Sequence, residues 1–192
     1  FSADGERIVF RSERDGGGIF IMGATGEQVR KVAAEGFNPA FSPDGSQVVV
    51  SSYSLVDPRN VGPGDLFVFD IESGERRELV GGSYAFRPQW SPGGGRIAYF
   101  GSDGGQRDIW TIDASGGQPL RVTDAPSLDW NPAWSADGRH LYFASDRAGG
   151  ASVIWRRAIA ENSGACRGAP REASTTASMP GSQSWSRPCV PF

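Results

Sequence analysis

In 192 residues the chain has one histidine, one lysine and two cysteines, and each scarcity removes a class of chemistry. A hydrolytic Ser-His-Asp set or a histidine-based metal centre could draw only on His140. Counted from its turn, His140 falls where Arg7, Gln47 and Arg96 fall after theirs, a generic polar position at a strand start. There is no Gly-x-Ser-x-Gly elbow and no phosphate-binding glycine loop with its lysine. Catalysis by this chain alone is therefore not expected. No apolar stretch approaches the roughly 18 to 20 residues that cross a bilayer, so membrane insertion is not expected either. The formal net charge is −3, which leaves no broad basic footprint, and nucleic acid is not an expected partner.

What the chain does have is a recurring phrase. Phe1-Ser2-Ala3-Asp4-Gly5, Phe41-Ser42-Pro43-Asp44-Gly45, Trp90-Ser91-Pro92-Gly93-Gly94 and Trp134-Ser135-Ala136-Asp137-Gly138 are followed by a degenerate copy at Trp185-Ser186. The leading aromatics stand 40, 49, 44 and 51 residues apart, a period typical of propeller blades or helical solenoids. Short β-branched and aromatic runs follow each phrase and exclude helix pairs. They are Arg7-Ile8-Val9-Phe10, Gln47-Val48-Val49-Val50, Arg96-Ile97-Ala98-Tyr99-Phe100 and His140-Leu141-Tyr142-Phe143. A second run begins at Ile19, Leu66, Ile109 and Val153, and a weaker polar one spans Gln28–Val32, Arg76–Val80 and Leu120–Thr123.

The sequence thus predicts an all-β β-propeller of four-stranded antiparallel blades, strands A to D running outwards from the axis. Blades are expected at about 1–35, 36–82, 83–126 and 127–180, with an extra inner strand and tail over 181–192. The tetrad after each aromatic joins A to B, with glycine taking the positive φ. The aromatic itself is expected to wedge between neighbouring sheets.

The run from Asn131 to Arg147, with its partners Asn38-Pro39-Ala40-Phe41-Ser42-Pro43-Asp44-Gly45 and Arg87-Pro88-Gln89-Trp90-Ser91-Pro92-Gly93, resembles TolB-type, WD-repeat-like propeller blades. Such blades occur in periplasmic TolB proteins of the Tol–Pal system, in gating domains of prolyl-oligopeptidase-type hydrolases and in bacterial sensors. The resemblance therefore implies a bacterial envelope setting, periplasmic or secreted, and a fold that serves several functions. TolB-like proteins usually carry six blades after an α/β domain, whereas four blades are legible here. Any leader or preceding domain is expected to lie outside this sequence.

Two arrangements fit the termini. Gly181–Ser186 either completes the first blade and closes a small ring, or the array is a piece of a larger propeller whose open faces favour self-association. Ile159–Ser178 lacks an apolar run, so a looped outer edge is expected for the fourth blade. Cys166 and Cys189 should lie on one face, where a disulfide and two free thiols both fit the sequence.

Loops held by rigid blades carry function, and the B-to-C and D-to-A loops share one face. Acidic residues in the B-to-C loops offer oxygen ligands for calcium, but each loop also holds an arginine, which favours local turn contacts and no cofactor. The expected partner is a protein or peptide. Its candidate contacts are Asn38, Arg87 and Asn131 at the channel mouth, with Tyr84 and Trp130 beside them. Tyr53, Asp57 and Arg59 come from a long insertion, and Arg107 and Arg147 from the B-to-C loops. A noncatalytic binding scaffold is the leading reading; a hydrolase's substrate-gating propeller and a carbohydrate-binding propeller are the alternatives.

Overall fold

The computed structural model describes residues 1–53, 63–82, 84–103, 105–149 and 151–173. Blade one consists of β1 (Arg7–Ser12), β2 (Gly18–Gly23) and β3 (Arg30–Ala33), with a short 3-10 turn at Arg14–Gly16. Blade two holds β4 (Phe37–Phe41), β5 (Gln47–Ser51), β6 (Leu66–Asp70) and β7 (Arg76–Val80). Blade three holds β8 (Ala85–Trp90), β9 (Arg96–Asp103), β10 (Gln106–Asp113) and β11 (Leu120–Arg121). Blade four holds β12 (Asp129–Trp134), β13 (His140–Ser145), β14 (Val153–Ala160) and β15 (Ala165–Glu172). Each sheet is an antiparallel meander in chain order, three-stranded in blade one and four-stranded in the others. Among the described residues no helix is long and apolar enough to cross a membrane.

Three apolar clusters join the sheets face to face. Ile19 and Ile21 of blade one meet Val48, Val50 and Phe67 of blade two. Val49 and Val68 of blade two meet Ile97, Tyr99 and Ile112 of blade three. Ala98, Phe100 and Ile109 then meet Leu141, Phe143 and Ile159 of blade four. Because the middle sheets are covered on both sides, Val48, Val49 and Val50 are all fully buried, and β5 reads as a continuous apolar run rather than an alternation. Each such side chain contributes about 1.5–3 kcal/mol by leaving water. The expected wedges are in place: Phe41, Trp90 and Trp134 pack at the first, second and third interfaces. Phe1, which starts the first copy, is 79% exposed. Residues 181–192, on which ring closure turns, lie outside the described residues.

The recurring phrase is a hydrogen-bonded turn. In all four copies the serine hydroxyl accepts from the backbone amide five residues on, at Arg7, Gln47, Arg96 and His140, each at 2.9 Å. In three copies it also donates to the aspartate, from Ser2 to Asp4 at 2.5 Å and from Ser42 and Ser135 to Asp44 and Asp137 at 2.6 Å. That donation is the main reason these carboxyls are held below their ordinary pKa. The glycines Gly5, Gly45, Gly94 and Gly138 take φ values of 78°, 70°, 76° and 67°, as the tight corner requires. Blade three has Gly93 where the others have aspartate, and there the Gly93 amide donates instead to Glu161 Oε1 of blade four, at 2.6 Å.

Arginines tie each blade to the next. Arg30 on β3 donates to Ile71 O at 3.3 Å, and Arg77 on β7 donates to Ala114 O at 2.8 Å. The two occupy one position of the repeat, as the cross-strand partners of Ile21 and Val68, and each reaches the turn after the next blade's third strand. Buried Arg157 of blade four reaches back to Val122 O of blade three.

The outer strands differ from expectation. The fourth blade is not looped at its edge, because β15 pairs with β14 between Ala165 and Glu172, across a register shift between Arg156 and Ala158, with few apolar side chains in it. An edge strand needs backbone pairing on one side only and gains nothing from an apolar outer face, so the missing apolar run did not signal a missing strand. In blade three the pairing is shorter than the apolar run, and β11 has two residues. Val122 and Thr123 leave the ladder, both amides converging on Ile109 O at 2.7 and 3.2 Å.

Candidate functional site

Each complete inner strand is broken at the same place. The register of β4, β8 and β12 slips between Phe37 and Ala40, Phe86 and Gln89, and Trp130 and Ala133. Within each slip stands a non-glycine residue in the left-handed region: Asn38 at φ 50°, Arg87 at 49° and Asn131 at 54°. A proline follows each one, which disfavours the right-handed helical region for it, and the register slip marks a β-bulge there. Asn tolerates the conformation; for arginine it costs about 1–2 kcal/mol. Arg87 and Asn131 are exposed and Asn38 is half-buried, so the three bulges put polar side chains at one rim.

Aromatic residues border that rim. Tyr53, 37% exposed, meets the fully buried Phe86 edge to face at 6.5 Å between centroids, and Phe86 leans on Phe100 at 5.5 Å. Gly64 passes directly over Phe86, where an added Cβ would lie 2.7 Å from the ring. Tyr84 is 41% exposed, and its carbonyl accepts from Ser102 N at 3.0 Å.

Other expected contacts are committed within the fold. Trp130 packs on the cluster between blades three and four. Arg107 is buried. Arg147 bonds Asp129 at 2.6 Å and lies over Phe143 and Trp155, 5.2 and 4.9 Å from their centroids. Asp57, Arg59 and Cys189 lie outside the described residues. Cys166 is half-buried against the same cluster, with its Sγ 3.9 Å from Val122 O. The loop acids make turn contacts: Glu13 pairs with Arg11 at 2.7 Å, and Asp146 accepts from Leu128 N at 2.8 Å. Among the described residues no group of three or more His, Cys, Asp or Glu side chains converges as a metal site.

Behind the rim, between blades three and four, is a buried charge cluster that the sequence reading missed. Asp108 accepts from Arg121 and, at 3.1 Å, from Thr123 Oγ1. Burial pushes its carboxyl up from 3.8 to about 6; the two donors pull it down and nearby Asp129 raises it further. The folded chain therefore holds this proton more tightly than the unfolded chain does. Its stabilising contribution is full below pH 3.8 and is lost as pH rises through about 6. Over that window stability should fall by roughly 2–3 kcal/mol. The turn aspartates act oppositely and at lower pH, losing their contribution as pH falls through their depressed values. Asp108→Asn should flatten the upper limb in urea midpoints measured against pH and leave the acid limb. An unchanged upper limb would contradict this account.

The chain is similar to known proteins in fold and in part of its sequence. It is 35% identical over 97 residues to the Tol-Pal system protein TolB of Anaeromyxobacter dehalogenans, a match covering 50% of this chain and 21% of that protein. The chain thus spans about a fifth of the length of the curated relatives it matches. A TolB structure from Agrobacterium tumefaciens aligns with a TM-score of 0.72 at 24% identity, over 84% of this chain and 60% of that one. A prolyl endopeptidase aligns with a TM-score of 0.59 at 16% identity, over 84% of this chain and 29% of that one, which shows shared fold alone. The TolB beta propeller domain family matches residues 37–180, which include the three bulged inner strands, and the chain belongs to that family.

Proposed function

We propose that this propeller is a noncatalytic scaffold that binds a protein or peptide segment through its rim, in the manner of a TolB propeller in a bacterial periplasm. The observation that carries the reading is the threefold recurrence of a left-handed polar residue at Asn38, Arg87 and Asn131. Backbone held in such a region persists where surrounding structure enforces it, and it aims side chains that a regular strand would turn elsewhere. Tyr53 and Tyr84 add exposed aromatic surface near the arginine, a combination suited to a peptide chain. The similarity to TolB supports a component of the Tol–Pal assembly as the partner.

The test replaces Asn38, Arg87 and Asn131 together by glycine, which accepts the left-handed backbone and removes only the side chains. Titrated with purified Pal, the variant should bind at least about tenfold more weakly than the parent, the loss expected for one arginine anchor. Its urea midpoint should not fall below the parent's, because glycine relieves the left-handed strain that Arg87 carries. Equal binding by both proteins, or none by the parent, would remove the reading.

A further inference from the structure

The first residue of each second strand stands beside the next blade, and its identity differs between interfaces: Arg7, Gln47 and Arg96. Arg7 fills the first interface. Its Nη2 donates to Gly45 O at 3.0 Å, and its guanidinium stands 5.2 Å from the Phe41 centroid. Arg96 fills the third. It is 5% exposed, donates to Thr111 Oγ1 at 3.1 Å and lies against Gly164 of blade four, where an added Cβ would be 2.6 Å from its Cζ. At the second interface the shorter Gln47 leaves an open groove of about 580 Å³, bordered by Asp44 and Gln47 of blade two and by Trp90, Gly94 and Ser115 of blade three. Both walls are described, and each has a further blade packed behind it, so the groove is not an end of the array.

The groove keeps the acceptors of the first interface and lacks the donor. Gly94 O and the Trp90 ring stand at the repeat positions of Gly45 O and the Phe41 ring. Among the described residues no donor meets Gly94 O, and the side-chain amide of Gln47 has no partner. Arg7 Nη2 takes the point where a Cβ on Gly45 would lie, whereas at Gly94 the nearest side chain is Pro43, 3.7 Å from that point. The local charge is negative. Asp44 is exposed, and donation from Ser42 and Ser46 holds its carboxyl below the ordinary range. Glu161 Oε1 stands 2.6 Å from Gly93 N, on the same lining. Arg77 brings the opposite charge, but it donates to Ala114 O and Ser115 O at 2.8 and 3.3 Å.

We infer that this groove takes the guanidinium of an arginine side chain from a partner polypeptide, which donates to Gly94 O and lies over Trp90 as Arg7 does with Gly45 O and Phe41. The planar fork of arginine can donate and stack at once, which an ammonium cannot. Tryptophan is the best of the aromatic rings for such a cation. Asp44 and Glu161 favour a positive side chain over a neutral one. The groove lies at the A-to-B turns, the other end of the strands from the rim, and the proposal stands independently of the function proposed above.

The probe is acetyl-arginine amide, titrated into isotope-labelled protein and followed by amide and indole NMR signals, with acetyl-citrulline amide as the neutral control. The parent should show saturable shifts at Gly94 and at the Trp90 indole, and the citrulline compound should bind at least about tenfold more weakly. Gln47→Arg should fill the groove from within, abolish the response and leave the thermal transition at or above the parent's. Gln47→Ala should keep the response. Arg7→Gln, which vacates the first interface, should add a second set of shifts at Gly45. No saturable shift in the parent, equal binding of the citrulline compound, or a folded Gln47→Arg protein that binds like the parent overturns the proposal. So does an Arg7→Gln protein that gains no response at Gly45, which decides the matter even if Gln47→Arg does not fold.

Discussion

Asp129→Ala should be among the most damaging single substitutions in the chain, costing about 3–5 kcal/mol. Asp129 is fully buried, and its Oδ2 holds Arg147 Nη2 at 2.6 Å, with the guanidinium side chain only 15% exposed. Truncation leaves that cation inside the structure without its counter-charge. The Phe143 and Trp155 rings offer it only a weak cation–π contact. The expected result is a large drop in urea midpoint. Combining Asp129→Ala with Arg147→Met should recover much of the loss, because the uncompensated charge goes with it. A double variant as unstable as the single one would show that the cost lies in packing. The same substitution should ease ionisation of Asp108, whose carboxyl is raised in part by Asp129.

Phe86→Ala should cost a similar amount, about 3–5 kcal/mol, for a different reason. The ring is fully buried between Tyr53 and Phe100, and Gly64 lies across it with no side chain to fill a void. Little can collapse inward, so the lost contacts and the cavity both count. Phe1→Ala provides the control: at 79% exposure it should change stability by less than about 0.5 kcal/mol. Phe86 directly precedes Arg87, so the cavity should also loosen the bulge and weaken binding at the rim. A Phe86→Ala protein with an unshifted thermal transition would refute the packing account.

The blades were legible because their determinants are local. A serine and a glycine around a tight corner, followed by a β-branched run, specify a turn and its outgoing strand without reference to distant residues. The wedge aromatics followed from their position in the repeat. The rim was partly legible: Asn38, Arg87 and Asn131 stood out as residues beside the inner strands, but their left-handed backbone could not be read from identity alone. Arg107 and Arg147 show the limit of that reading. A polar residue near a loop looks the same in sequence whether it faces solvent or, like Arg147, a carboxylate eighteen residues away. The Asp108 cluster was missed because burial between two blades is a long-range property. The inter-blade arginines had left a trace, since Arg30 and Arg77 lie in corresponding outer runs, yet their carbonyl acceptors carry no residue signature.

Gly93 amends the notion of blades as interchangeable modules. Blade three has lost the acid from its corner, and Glu161, reaching over from blade four, supplies an oxygen at that spot. The corner of blade three is thus held to its neighbour by a bond of a kind the aspartate corners do not use, and that bond lasts only while the two blades remain adjacent. Transplanting blade three by itself would break it. The order of the blades is in this respect inherited as a whole.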